Sequence, residues 1–136
     1  FNISSSFKIK EVTMANELAA LASWTFFQEV AIPQDIGALM VNGEQPIAAY
    51  KTIRDVAVFT NKRLIVKDAQ GITGKKIEIY SLPYSSITMW STENAGNLLD
   101  FNAEVELWTK AGHIKINLKK GIDIRKFDTI LAMAIL

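Results

Sequence analysis

The chain has 136 residues, 49% of them hydrophobic and 21% charged, which is ordinary globular composition for one domain around one core. Fifteen Lys plus Arg against fourteen Asp plus Glu leave a formal charge of +1, too little for the long-range field with which nucleic-acid binders gather phosphate. Cysteine is absent, which excludes a disulfide framework, a thiolate nucleophile and any Cys-based zinc or iron–sulfur site, and fits a reducing cytoplasm.

Residues 1–12 contain Ser4-Ser5-Ser6 and the alternation Phe7-Lys8-Ile9-Lys10, and read as a loose leader or a short edge strand. Residue 1 is Phe rather than Met, which leaves room for a removed upstream segment. Over 13–29 a helix is expected, because the run from Met14 to Ala22 is rich in helix formers and Thr13 offers an N-cap oxygen. Trp24, Phe26 and Phe27 then spread apolar surface around most of that helix, which makes them candidate interface residues. The most apolar stretch, 18–32, carries Gln28 and Glu29 and falls short of the ~20 apolar residues that a bilayer crossing needs. Pro33, Asp35 and the glycine at Gly43 frame a second short helix over 33–42.

After Pro46 the texture changes to short apolar or alternating runs separated by turn signals, the pattern of an antiparallel unit. Strands are expected over 47–53, 56–60, 64–68, 75–81, 86–91, 101–109 and 114–119, with Asn61-Lys62 forming a tight hairpin. In the sixth, Phe101, Ala103, Val105 and Leu107 share one face and Asp100, Asn102, Glu104 and Glu106 the other; in the seventh, Ile114, Ile116 and Leu118 oppose Lys115, Asn117 and Lys119. Acidic and basic outer faces can then lie across from each other. Finally Asp123 caps a helix whose Ile124, Phe127, Ile130, Leu131, Ala134 and Ile135 recur at helical spacing, a lid for one end of a bent sheet or open barrel. The expected division is therefore an N-terminal, partly helical extension over 1–32 and a mainly β domain over 33–136.

The strings Ala49-Tyr50-Lys51-Thr52-Ile53-Arg54-Asp55, Val58-Phe59-Thr60-Asn61-Lys62-Arg63-Leu64-Ile65 and Gly71-Ile72-Thr73-Gly74-Lys75-Lys76 resemble the bacterial pleckstrin-homology (PH-like) domain family. The resemblance continues through Ile79-Tyr80-Ser81-Leu82-Pro83-Tyr84-Ser85-Ser86-Ile87-Thr88 and Glu93-Asn94-Ala95-Gly96, and covers roughly residue 32 to the C-terminus. It implies a bent barrel of two near-orthogonal antiparallel sheets, seven strands in all, capped by the C-terminal helix. It carries no assigned biochemical role, and the fold hosts lipid, peptide and protein binding alike. Members of the family build higher-order homo-oligomers, so self-association is an implied expectation.

Phosphoinositide binding in eukaryotic relatives uses clustered cations around the loop between the first two strands. Here the candidates for anion or lipid contact are Lys51, Arg54, Lys62, Arg63, Lys75 and Lys76, with Asp55 working against a phosphate cradle and solvated turn charges as the ordinary reading. His113, the sole histidine, follows Ala111-Gly112 and is expected to be a surface turn residue without a metal-sharing partner. Trp108 falls on the wet face with Glu104 and Glu106, as a contact residue, unless a phase slip buries it. No catalytic, cofactor-binding or metal-binding set emerges, since the serines lack a base and orienter and no phosphate loop or dinucleotide fingerprint is present. The reading is a non-enzymatic, cytoplasmic binding and assembly module that forms a homo-oligomer or engages a protein partner. The runner-up is a peripheral module on an anionic membrane surface, and nucleic acid ranks last.

Overall fold

A computed structural model describes residues 22–70, 76–93 and 102–136 of the chain. The alternation Ala22-Ser23-Trp24-Thr25-Phe26 forms a strand there, β1 (Ala22–Phe26), and after Phe27 the chain enters β2 (Gln28–Val30). The helix expected over 13–29 is thus corrected for its second half, while 13–21 lies outside the described residues. The physical reason is the two-residue period, which sets Trp24 and Phe26 toward the core and Ser23 and Thr25 away from it; a helix would have scattered them.

The short helix expected over 33–42 is a 3-10 turn, Gln34–Leu39, with Pro33 at its N-cap and a Met40 N–H donating to the Gly37 carbonyl at 3.2 Å. Gly43 beyond it has φ 80°, a conformation that costs glycine nothing. The seven expected strands all follow, with small shifts at their ends. They are β3 (Pro46–Lys51), β4 (Val56–Thr60), β5 (Arg63–Gln70), β6 (Lys76–Pro83), β7 (Ile87–Glu93), β8 (Ala103–Thr109) and β9 (Gly112–Leu118), and α1 (Ile124–Ile135) ends the chain's secondary structure. One sheet runs β1-β9-β8-β7 and the other β2-β3-β4-β5-β6. Every pairing is antiparallel except β1 with β9, which is parallel.

The β1–β2 segment belongs to both sheets. The Phe26 carbonyl accepts from the Lys119 N–H at 2.9 Å in the first sheet, and the next N–H, that of Phe27, donates to the Lys51 carbonyl at 2.8 Å in the second. This hand-over carries Phe26 into the middle of the core, fully buried against Tyr50 of β3, Phe59 of β4 and Phe127 of α1. Phe127 meets Phe59 edge-on at a centroid distance of 5.1 Å, so the ring cluster ties both sheets to the helix. The face alternation of β8 and β9 is as expected for Ala103, Val105, Leu107, Ile114, Ile116 and Leu118, all buried; Phe101 lies outside the described residues.

Asp123 caps α1 by accepting from the Arg125 and Lys126 N–H groups at 3.0 and 3.1 Å. The helix is further tied down at both flanks, where the Trp90 Nε1–H donates to Asp128 at 2.8 Å and Lys126 Nζ meets Glu29 at 2.6 Å. On the far side of the second sheet a smaller apolar cluster, Ile36, Ala49, Val56 and Val58, is roofed by the 3-10 turn.

Truncating Phe26 removes a fully buried ring from the junction, so Phe26→Ala is expected to lower unfolding free energy by about 3–5 kcal/mol. Phe27→Ala, at a 39% exposed position one residue on, is expected to cost under about 1 kcal/mol. Urea denaturation of the two variants checks this, and equal losses would contradict the strand assignment.

Candidate functional site

Strand direction decides which of the basic candidates can act together. Antiparallel pairing puts the β3–β4 turn and the ends of β5 and β6 that carry Gln70 and Lys76 at one end of the second sheet, with the β4–β5 hairpin at the other. Lys51, Arg54 and Lys76 therefore share one end, Lys62 and Arg63 the opposite one, roughly 15 Å away by the length of β4. Lys75 lies outside the described residues.

At the first end the turn is held by the Thr52 hydroxyl, which accepts from the Asp55 N–H at 3.1 Å, and Ile53 stands at its tip, 71% exposed. Arg54 reaches Asp68 at 3.8 Å and Lys67 reaches Asp35 at 3.8 Å, both long, partly exposed pairs of little strength. Between this turn, β1 and β5 lies a cleft of about 200 Å³, with Trp24, Thr52, Arg54, Lys67 and Asp68 on its walls. Its charges are mixed, and its cations already face carboxylates.

Arg63 at the other end is turned inward. Its Nε and Nη2 donate to Glu44 at 2.9 and 3.0 Å, Nη2 also to the Leu39 carbonyl at 2.6 Å, and Nη1 to the Ser81 hydroxyl at 2.9 Å. Glu44, 4% exposed, further accepts from the Thr60 hydroxyl at 2.7 Å and the Val41 N–H at 3.1 Å. The Arg63 hydrogen bonds, opposed by burial and aided by Thr60 and Val41, hold the Glu44 carboxyl at about 2, well below its ordinary 4.5. The Tyr84 hydroxyl donates to the Thr60 carbonyl at 2.6 Å beside this node, and burial pushes its own pKa up. Arg63 is thus committed to latching the 3-10 roof onto the sheet. Nothing in the spacing of Glu44 and Arg63 advertised that partnership.

The aromatic candidates are separated too. Trp24 is half-buried, with its ring 5.8 Å from that of Tyr80, and Phe26 is in the core; only Phe27 of that trio is exposed. Trp108 lies on the outer face of the first sheet, half-buried and stacked on His113 at 5.1 Å and 17°. His113 is corrected: it sits in β9, 6% exposed, with Nε2 2.9 Å from Glu106, because Trp108 across the strand pair covers it. On the same face Lys115 meets Glu104 and Glu106 at 3.3 and 3.8 Å, the cross-strand charge pairing that the alternation implied. Beyond it a shallow depression of about 440 Å³ is lined by Thr25, Glu93, Asn102, Glu104, Asn117 and Lys119. Among the described residues no group of three or more His, Cys, Asp or Glu side chains is placed to hold a metal ion, and no helix is long and apolar enough to cross a membrane.

Sequence reasoning missed the strand edges. β6 spans eight residues at the border of the second sheet and exposes Ile77 and Ile79 by 56% and 44%; β7, at the border of the first, exposes Met89 by 53%. The alternation Lys76-Ile77-Glu78-Ile79-Tyr80 was visible, but which strand would stand at a border was not.

A protein-family model described as Bacterial PH domain matches residues 17–135, reaching further toward the N-terminus than the resemblance read from the sequence. The chain is 39% identical over 105 residues to the Bacillus subtilis (strain 168) uncharacterized protein YjqA, covering 75% of this chain and 83% of that one. It is 31% identical over 94 residues to YozO of the same organism, also uncharacterized, covering 69% and 81%. Among solved structures, a DUF1696 family protein with a pleckstrin-homology domain from Shewanella loihica PV-4 is 42% identical, with a TM-score of 0.71 over 79% of this chain and 96% of that one. A pleckstrin homology domain from Shewanella amazonensis SB2B is 34% identical, with a TM-score of 0.64 over 90% and 98%.

The Glu44 carboxylate is ionised in the folded chain down to about pH 2 and protonates near 4.5 when unfolded, so its contribution to stability is complete above pH 4.5 and is lost as pH falls toward 2. Glu44→Gln leaves Arg63 short of its counter-charge and is expected to cost about 2–4 kcal/mol at pH 7. Denaturation midpoints collected between pH 7 and pH 2.5 check both: the wild type should lose ground on the variant across the acid limb, and parallel curves would contradict the latch.

Proposed function

The chain belongs to the bacterial PH domain family, and from that premise we propose that it is a non-enzymatic binding and assembly module that self-associates through open strand edges. The observation that carries this reading is the set of exposed apolar side chains standing on border strands, Ile77 and Ile79 on β6 and Met89 on β7. Border strands with apolar faces are templates for pairing with another chain, and most proteins blunt them. His113 is stacked under Trp108 and lies 2.9 Å from Glu106, and Glu44 is enclosed, so these side chains are engaged within the fold.

A second reading keeps one specific observation. Ile53 projects from the β3–β4 turn between Lys51 and Arg54, an apolar tip flanked by cations, which suits shallow contact with an anionic bilayer. The pairing of Arg54 with Asp68 and the split of the basic set weaken it.

Light scattering on the size-exclusion eluate, across a dilution series, tests the first reading. The expected mass is a multiple of the 15.1 kDa chain that shrinks only at high dilution, and a monomer at every concentration would refute it. For the second, vesicles with and without phosphatidylserine should retain the chain in a salt-sensitive manner that Ile53→Ser abolishes; equal retention on neutral vesicles would rule out the anionic surface.

A further inference from the structure

Three strands meet at the corner where the chain passes from one sheet to the other. In each, a residue sealed in the core is followed by one turned out to solvent: Phe26 by Phe27, Tyr50 by Lys51 and Leu118 by Lys119. A single peptide group holds the outward three side by side. The Phe26 carbonyl accepts from the Lys119 N–H at 2.9 Å on one flank, and the Phe27 N–H donates to the Lys51 carbonyl at 2.8 Å on the other. The backbones of Lys51 and Lys119 are therefore roughly 8 Å apart at these atoms, with Phe27 between them.

Lys120 extends this surface along the β9–α1 turn. That turn is held by the Lys120 N–H on Asn102 Oδ1 at 3.0 Å and the Ile122 N–H on the Lys119 carbonyl at 3.3 Å, with Gly121 at φ 98°. On the other side, two residues beyond Lys51, stands Ile53, 71% exposed. Lys51, Lys119 and Lys120 are all exposed, and among the described residues none of them is in an ion pair. The acids around them are placed elsewhere: Glu29 meets Lys126 at 2.6 Å, and Glu104, which shares the depression beside Lys119 with Glu93, meets Lys115 at 3.3 Å.

We propose that this corner is a docking face for an anionic lipid bilayer, with Phe27 entering the headgroup layer between Lys51 on one side and Lys119 and Lys120 on the other. It rests on the membrane reading above and extends it from one turn to a face built by three strands. Phe27, Lys51 and Lys120 line neither the cleft nor the depression, so the ring and its flanking charges project instead of enclosing a ligand. At the start of α1 the Arg125 and Lys126 amides, which could otherwise hold a phosphate, are taken by Asp123. An exposed ring ringed by ammonium groups, without a cradle for one phosphate or a groove for a peptide, matches a diffuse layer of negative headgroups. The whole chain carries only +1, so long-range attraction is small and contact depends on these local cations, which salt screens.

Sedimentation of the full chain with phosphatidylcholine vesicles, with and without phosphatidylglycerol, tests this. The wild type is expected to bind only the vesicles that contain phosphatidylglycerol and to leave them as salt rises. Lys51→Gln and Lys119→Gln should each lower the partition coefficient about fivefold, which is ~1 kcal/mol per cation at an anionic surface. Phe27→Ala should lower it about tenfold through lost apolar contact. Lys110→Gln, an exposed cation at the opposite end of β9, should leave it unchanged. Phe27→Trp supplies a second readout, since the emission it adds to that of the wild type should shift to the blue on the charged vesicles alone. A wild type that ignores phosphatidylglycerol, or that binds soluble polyglutamate and not the vesicles, overturns both this face and the membrane reading beneath it. Binding to the charged vesicles that Phe27→Ala, Lys51→Gln and Lys119→Gln all leave intact overturns the corner alone, and its loss with Ile53→Ser would then confine the contact to the β3–β4 turn.

Discussion

Phe26 is where the fold closes. Its carbonyl serves one sheet, the N–H of the next residue serves the other, and its ring fills the space among Tyr50, Phe59 and Phe127. Without that segment the β9 edge of the first sheet and the β3 edge of the second would both stand open, and the helix would lose one ring of the cluster on which it rests. The burial of Tyr50 depends on the same closure: its hydroxyl is raised far above its ordinary pKa, by burial first and by Glu29 and Asp123 after it. With this corner held by the β1–β2 segment, β9 and β3 become interior strands and the sheets are bordered by β1 and β7 and by β2 and β6.

Charge is disposed to hold the molecule together more than to gather a ligand. Arg63 is bound into an enclosed carboxylate and pins the 3-10 roof over Ala49, Val56 and Val58. Arg54, Lys67, Lys115 and Lys126 each face a carboxylate within 4 Å. A phosphate site needs several cations converging on one point, and antiparallel strand order sends this chain's candidates to opposite ends of a sheet. Among the described residues, exposed apolar side chains include Ile77, Ile79 and Met89 on border strands and also Val41, Ile53 and Met133 elsewhere.

Much of the architecture was legible because period-two patterning is a local signal. The faces of β8 and β9, the Asn61-Lys62 hairpin and the Asp123 cap could all be read from neighbouring residues, and the family resemblance agreed with them. β1 was misread because the helix-forming run before Ala22 was carried across an alternation, Ser23 to Phe26, that belongs to a strand. The turn at Gln34–Leu39 was rightly placed but too tight and short for the α-helix that its flanking Pro33 and Gly43 suggested. Site residues fared worse, since their meaning is long-range. Glu44 finds Arg63 across 19 residues, and His113 is covered by Trp108 only because two strands pair in one register. Ile77 and Ile79 lie in the strand expected over 75–81, but only sheet order places that strand at a border.

The central claim, that the chain self-associates through open strand edges, is most directly tested by amide hydrogen exchange at two chain concentrations, one well above and one well below the association midpoint. The expected result is protection that rises with concentration in β6 or β7 and leaves the β3–β4 turn unchanged, because edge amides bonded to a second chain exchange only when the pair opens. Exchange in both strands that is equally fast at both concentrations would contradict it.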